Sequence, residues 1–450
     1  MDLVKIVEVI NENLWNKVLI FLLLGTGVYY TFRLKFIQIR RFKDINAHVF
    51  GNVFKRGEKA DKDGMSSFQA LATSIAAQVG TGNLAGVATA IASGGPGAIF
   101  WMWISAFFGM GTIFGEAVLA QKYVEKIDGE VTGGPAYYLR KGLNSKFLAG
   151  FFAITIIIAL GFVGNMVQSN SIAVALTSAF SIPNWVGGVI AAIFAALIFA
   201  GGMRRIASFT ELVVPFMAIL YIAGSLVIII LNYSQIIPAL KLIVTSAFSA
   251  KAAVGGAIGV TVKEAVRYGI ARGLFSNEAG MGSTPHAHAV AKVEHPAEQG
   301  LVAIFGVIFD TLVICTITAL INITTGAHTL GLTGIEMTQK AFNIGLGNFG
   351  TIFIAIGLFF FAFSTIIGWY YFGESNIKYL FGAKGIWPYR IIVLLFIIFG
   401  SILSVDIVWQ IADLFNGLMV LPNVIGLLIL SPQVIAILRD YEINFLKDVK

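Results

Sequence analysis

The sequence predicts an all-α polytopic membrane protein of about eleven transmembrane helices, built as two oppositely oriented sets of five behind one N-terminal accessory helix. Three observations predict it. Of 450 residues, 57% are hydrophobic and only 12% charged, about half the roughly 25% charged share of soluble domains. The apolar residues fall in runs of about 20, the length that crosses a bilayer as a helix, with no barrel-type alternation. Two of these runs, five spans apart, are interrupted at mid-depth by stretches rich in Gly, Ser and Asn.

In order, the spans are 14–32, 68–92, 96–120, 147–175, 183–202, 207–232, 250–290, 298–324, 348–373, 386–405 and 409–438. The N-terminal run is not followed by a small-residue cleavage site, so the first span is expected to stay in the mature protein. The connections that alternate from 33–64 onward, including Arg204-Arg205 and the C-terminal tail, hold 23 of the 31 basic residues; the other side holds five. Positive residues stay cytoplasmic, which places the N-terminus outside and the C-terminus inside the cell membrane. The formal charge of +7 thus follows membrane topology and implies no nucleic-acid partner. The single Cys315 excludes an internal disulfide framework.

The second span carries "QVGTGNLAG" (78–86) and the seventh "GLFSNEAGMGS" (273–283). If the first span is accessory, these segments open spans 2–6 and 7–11. Five is odd, so the second set enters the membrane from the opposite side: the arithmetic of an inverted repeat over 66–232 and 250–438. Paired interruptions in such repeats point to a binding site. "RIASFTELVVP" (205–215) and "QIADLFNGLMVLP" (410–422) are a weaker echo of the repeat. A broken helix frees amides and carbonyls that lipid cannot satisfy, so they must face protein or ligand. The amides near Gly82 and Asn83 suit a carboxylate. The carbonyls near Ala76 and Val79 suit a hard monovalent cation. Glycines alone would be explained by close helix packing, but Gln78, Thr81 and Asn83 at the same depth would not.

Span nine holds "FAFSTIIGWYYFG" (361–373), with two hydroxyls, Ser364 and Thr365, and with Trp369 one turn from Thr365 on the same face. Such hydroxyls also back-bond to their own helix. Asn165, in "GFVGNMVQSN", is either an interhelical tie or a ligand. Lys263, Glu264, Arg267 and Arg272 precede the seventh interruption and must line an aqueous vestibule or pair with carboxylates. Placing the break instead at "VGGAIG" (254–259) would leave these charges cytoplasmic; the later stretch is preferred because only it combines Gly with Ser, Asn and Glu.

At these residues the chain resembles the alanine or glycine:cation symporter family. "GGPGAIFWMWISAFFG" (94–109) matches that family's signature, "GTGNLAG" and "ARGLFSNEAGMGS" are similar to it, and the resemblance covers essentially the whole chain. It implies sodium-coupled import of small neutral amino acids, alanine and glycine, by alternating access, on the LeuT-type fold of ten core helices in two inverted fives. Its implied partners are therefore the amino acid, sodium (Na+) and the lipid bilayer. The resemblance implies a sodium site from the carbonyls of Ala76, Val79 and Phe361 with the hydroxyls of Ser364 and Thr365. It implies a substrate site from Thr73, Gln78, Thr81, Gly82, Asn83, Asn165, Phe275, Ser276, Asn277, Glu278, Gly280, Met281, Thr365 and Trp369. Within this set, Trp369 and Phe275 close the pocket. Glu278 departs from the short neutral residue usual at its position in this fold. A proton-coupled transporter is the alternative, through acids in or beside spans: Glu116, Glu211, Glu278, Asp310, Asp406 and Asp413. An intramembrane metal enzyme using "HAH" (286–288), Glu294 and His295 is disfavoured, since the spacing matches no known zinc motif.

Overall fold

The computed structural model of the chain describes residues 3–54, 60–249, 261–403 and 405–446. The alternative break at 254–259 and the side chain of Asp406 lie outside it. Helix α1 spans residues 3–33, followed by α2 (Phe42–Phe54) and β1 (Met65–Ser66). The first set of five comprises the bent pair α3 (Ser67–Gln78) and α4 (Gly82–Gly94), α5 (Ala98–Lys122), α6 (Lys146–Phe180), α7 (Asn184–Phe199) and α8 (Gly202–Leu231). After α9 (Ile236–Ser246), the second set holds α10 (Val262–Asn277) with α11 (Pro285–Ala289), then α12 (Pro296–Thr324), α13 (Gly334–Phe381), α14 (Ile386–Ile402) and α15 (Val405–Asp440).

Among the described residues, seven helices are long and apolar enough to cross a membrane, eight when the bent pair counts as one span. The other three of the eleven expected spans fail that test for visible reasons. The first begins with a polar turn, α7 has 16 residues, and the seventh is broken. The two halves of the seventh span are unequal. Its second half, α11, is only five residues long, because Pro285 starts it and a turn to strand β2 (Ala291–Lys292) ends it. Helix α13 is also longer than its expected span, and it bends at Gly347, whose φ is +64°.

Local chemistry sets several ends. Ser66 and Gln69 form a capping box at the start of α3, as do Thr261 and Glu264 at the start of α10. The signature stretch closes α4 at Gly95, with φ +67°, and then packs α5 against α10. A Cβ at Gly269 would stand 2.3 Å from the Ala98 carbonyl oxygen, and one at Gly273 2.3 Å from Ser105 Oγ. The two signature tryptophans are tied by their indole N–H groups, Trp101 to the Ala247 carbonyl (3.2 Å) and Trp103 to Thr316 (2.8 Å).

The basic connections gather at one end. Strand β1 pairs in parallel with β2, Met65 opposite Ala291. Lys126 reaches Asp63 at 2.6 Å, Lys292 reaches Asp61 at 3.0 Å, and Arg40 and Arg41 hold Glu442. Burial opposes the Glu125 charge there, yet hydrogen bonds from Arg140 and Lys141 hold its carboxyl below the usual range. The opposite end carries α9 and the turns near 97, 182 and 403.

Candidate functional site

Helix α3 stops at Gln78, where Val79 leaves helical torsions (φ −85°, ψ 88°), and α4 resumes at Gly82 at a 49° bend. The break leaves carbonyls without intrahelical donors. Thr365 of α13 comes to them: its Oγ1 lies 2.9 Å from the Ala76 oxygen, 3.5 Å from Val79 and 3.0 Å from Phe361. Ser364 Oγ lies 2.9 Å from the same Phe361 oxygen. One hydroxyl proton can serve only one of these acceptors, so this all-oxygen, uncharged cluster has electron density to spare for a hard cation. Gly80 permits the approach, since a Cβ there would stand 2.3 Å from Thr365 Oγ1.

The second break runs from Glu278, which is left-handed at φ +57°, to Thr284. A carboxylate from α5 compensates it. Glu116 accepts the backbone N–H of Gly280 and of Gly282, each at 2.9 Å, and the Asn423 amide at 2.7 Å. Gly280, at φ +86°, turns its amide toward that carboxylate. Glu278 faces the other way, accepting from Ser283 Oγ (2.5 Å) and from the Trp369 indole N–H (2.7 Å). Glu278 thus binds Trp369 to the break.

The two breaks meet. The Gln78 amide donates to the Asn277 carbonyl at 2.7 Å, and a Cβ on Gly82 would lie 3.5 Å from Ser276 Cα. Asp310 of α12 closes the seam: Oδ1 accepts from Asn83 (2.6 Å) and Ser276 (3.1 Å), and Oδ2 from Thr311 (2.7 Å). Asn277 donates to Thr311 at 3.2 Å. Gln78 Oε1 and Thr81 Oγ1 are buried here with no partner among the described residues, and buried polar atoms left so are costly unless a ligand or water meets them.

Of the residues expected at the site, Gln78, Thr81, Gly82, Asn83, Ser276 and Asn277 meet at this seam. Ala76, Val79, Phe361, Ser364 and Thr365 form the oxygen cluster. Glu278 and Trp369 form one bonded pair, while Gly280 and Met281 belong to the second break. Phe275 lies beside Trp409, ring centres 5.6 Å apart. Two residues are not brought to the breaks by their polar groups. Thr73 donates to Gln69 and pairs with Thr210 at 2.9 Å, because it sits more than one turn before the break. Asn165 donates back to Gly161 of its own helix, leaving its oxygen buried and unpartnered. Asn170 ties α6 to the Gly400 and Leu403 carbonyls.

Sequence reasoning missed Gln168, whose Oε1 lies 3.4 Å from the Thr81 amide, one turn beyond Asn165 in the same polar stretch. It also noted Glu116 and Asp310 only as proton carriers, although both are buried inside spans, which was the available signal. His286 and His288 are buried, bonded to the Ser283 carbonyl, Asn376 and Gln299. Among the described residues no group of three or more His, Cys, Asp or Glu residues could hold a metal ion.

The fold is shared with solved transporters. A crystal structure of the Eremococcus coleocola manganese transporter superposes with a TM-score of 0.51 at 16% identity, over 83% of this chain and 78% of that one. Relatives by sequence are closer. The sodium/alanine symporter of Methanococcus maripaludis is 45% identical over 97% of this chain and 96% of its own length. The probable sodium/glutamine symporter of Bacillus subtilis is 46% identical over 97% and 90%. A putative sodium/proton-dependent alanine carrier of the same organism is 42% identical over 96% and 91%. The sodium:alanine symporter family model matches residues 1–449, and the chain belongs to that family.

Proposed function

We propose that the chain imports alanine, glycine and similarly small neutral amino acids together with sodium, by alternating access across the cell membrane. Sodium sits among the Ala76, Val79 and Phe361 carbonyls and the Ser364 and Thr365 hydroxyls. The amino acid lies at the seam of the two breaks, its carboxylate toward the amides of Thr81 and Gly82 and its ammonium toward acceptors around Ser276. In this reading the basic end faces the cytoplasm, and the two sets of five are inverted repeats, 66–232 and 250–438, behind the accessory helix at 14–32. The observation that carries the proposal is the convergence of three carbonyls on Thr365 at a break in a transmembrane helix.

The driving forces suffice. A tenfold sodium gradient supplies about 1.4 kcal/mol and 100 mV on one charge about 2.3, together enough for roughly 500-fold accumulation of a zwitterion. Trp369, anchored by Glu278, and Phe275 occupy the space that a longer side chain needs. The test is uptake of labelled alanine into proteoliposomes under an inward sodium gradient, with glycine, serine and glutamine as competitors. Competition by glycine and serine but not by glutamine supports the size assignment, and equal competition by glutamine contradicts it.

One observation favours a second reading, coupling to protons. Asp310 is fully buried at the seam, and among the described residues no Lys, Arg or His pairs with it. Uptake driven by an inward pH step without sodium, and lost in Asp310→Asn, would favour that reading.

A further inference from the structure

Helix α13 turns one face to both breaks. Thr365, Trp369, Phe372 and Asn376 follow one another at four, three and four residues, which puts them in one stripe roughly 16 Å long. Thr365 meets the carbonyls of the first break, and Trp369 donates to Glu278 where the second break begins. The stripe ends on His286, just past the other end of that break. Phe372 stacks on the imidazole, ring centres 5.6 Å apart, and the Asn376 amide nitrogen lies 2.8 Å from its Nε2. Beside the same stripe, a Cβ on Gly368 would stand 3.0 Å from Ala77 Cβ, so α13 lies directly against the end of α3.

His286 is buried in a close-fitting cage. Phe152 of α6 lies nearly parallel to its ring, at 14° and with centres 6.1 Å apart, and a Cβ on Gly134 would stand 2.5 Å from its Cδ2. Nδ1 lies 2.6 Å from the Ser283 carbonyl oxygen. A carbonyl only accepts, so Nδ1 carries the proton and Nε2 accepts from Asn376. Ser283 in turn donates through Oγ to Glu278. The bonds therefore run from Asn376 through His286, Ser283 and Glu278 to Trp369, leaving α13 and returning to it two turns away. An apolar ring would stack in this cage as well as an imidazole, and burying ring nitrogens costs free energy unless they are bonded. What the nitrogens add is this closed chain of bonds.

We infer that His286 is a positioning residue for the coupling of cation to amino acid. With Asn376 it clasps the second break to the same rigid face of α13 whose Thr365 meets the proposed sodium site. A cation that holds Thr365 on the first break thereby fixes the second break too, and the amino acid finds both in their binding geometry. Coupling of this kind is reciprocal: each ligand raises the affinity for the other by one factor. With the clasp cut, each ligand still has its own contacts, but neither improves the other's affinity. This role rests on the sodium and amino-acid reading given above and deepens it, by naming the residues that carry the coupling.

The test is binding of labelled alanine to the purified full-length chain over a range of sodium concentrations, together with binding of labelled sodium in the absence of alanine. In the unmodified chain, sodium should tighten alanine binding at least tenfold. His286→Phe keeps a ring in the cage and removes both nitrogens; Asn376→Leu removes the amide that meets Nε2. In each, the gain from sodium should fall below threefold, while the sodium affinity measured without alanine stays within twofold of the unmodified value. That second measurement separates a lost clasp from a damaged fold. A tenfold gain kept in either variant would overturn the assignment and leave the transport reading intact. Loss of sodium binding itself in both variants would make His286 a structural residue and would equally overturn it. Alanine binding indifferent to sodium in the unmodified chain would overturn the transport reading as well.

Discussion

Thr365 is the residue on which the coupling reading turns. Its hydroxyl is within hydrogen-bond reach of three carbonyls, two of them exposed by the break in α3. Thr365→Val keeps the shape and removes the oxygen. It should raise the sodium concentration for half-maximal uptake at least tenfold, about 1.4 kcal/mol of cation affinity. The alanine KM at saturating sodium should change much less. An unchanged sodium dependence would place the cation elsewhere. Glu278 presents a different choice, because its carboxylate both accepts from Trp369 and sits in a membrane span. As an anchor it tolerates Glu278→Gln, which keeps an acceptor for the indole, while Glu278→Ala frees Trp369 and should admit glutamine as a competitor. Loss of transport in the glutamine variant would give the ionised group a further task.

At the scale of elements, the two breaks are held by different means. The first is short, three residues, and its carbonyls meet hydroxyls. The second is longer and leans on Glu116, which accepts two backbone amides and the Asn423 side chain. Glu116→Ala strands these donors, each costing about 1–3 kcal/mol when buried. It should lower the melting temperature and speed amide exchange at Gly280 and Gly282, whereas Glu116→Gln, with one acceptor oxygen, should fall between. Both breaks were legible in the sequence, because Gly, Ser and Asn at mid-span violate what lipid tolerates. Their supports were not. Nothing local to Glu116 in "FGEAVLA" says that α5 will lie along the break, and the bond from Gln78 to Asn277 joins residues 199 apart in the chain. Thr73 shows the converse, a polar residue near a break whose partner, Thr210, only packing reveals.

For the whole molecule, the count of basic residues foretold which loops share an end, and β1–β2 with the Lys126–Asp63 and Lys292–Asp61 pairs join them there. The cytoplasmic orientation proposed for that end rests on the same count. The one native cysteine is buried, so single cysteines can report sidedness. In intact cells an impermeant maleimide should label Ser181→Cys and spare Lys384→Cys, and labelling only after permeabilisation at 181 would reverse the topology. The alternating loops were legible because charge obeys the bilayer directly. The short α11 and the long α13 were not, since their ends depend on Pro285 and on a bend at Gly347 within apolar sequence. In the proposed mechanism, the meeting of two broken helices couples cation to amino acid. Its most direct test is labelled alanine uptake into proteoliposomes holding the unmodified chain or Thr365→Val, with sodium or choline outside at a fixed, equal pH. Uptake is expected in sodium only, collapsing in Thr365→Val at low sodium and recovering at high sodium. Equal uptake in choline, or a Thr365→Val chain with unaltered sodium dependence, would contradict it.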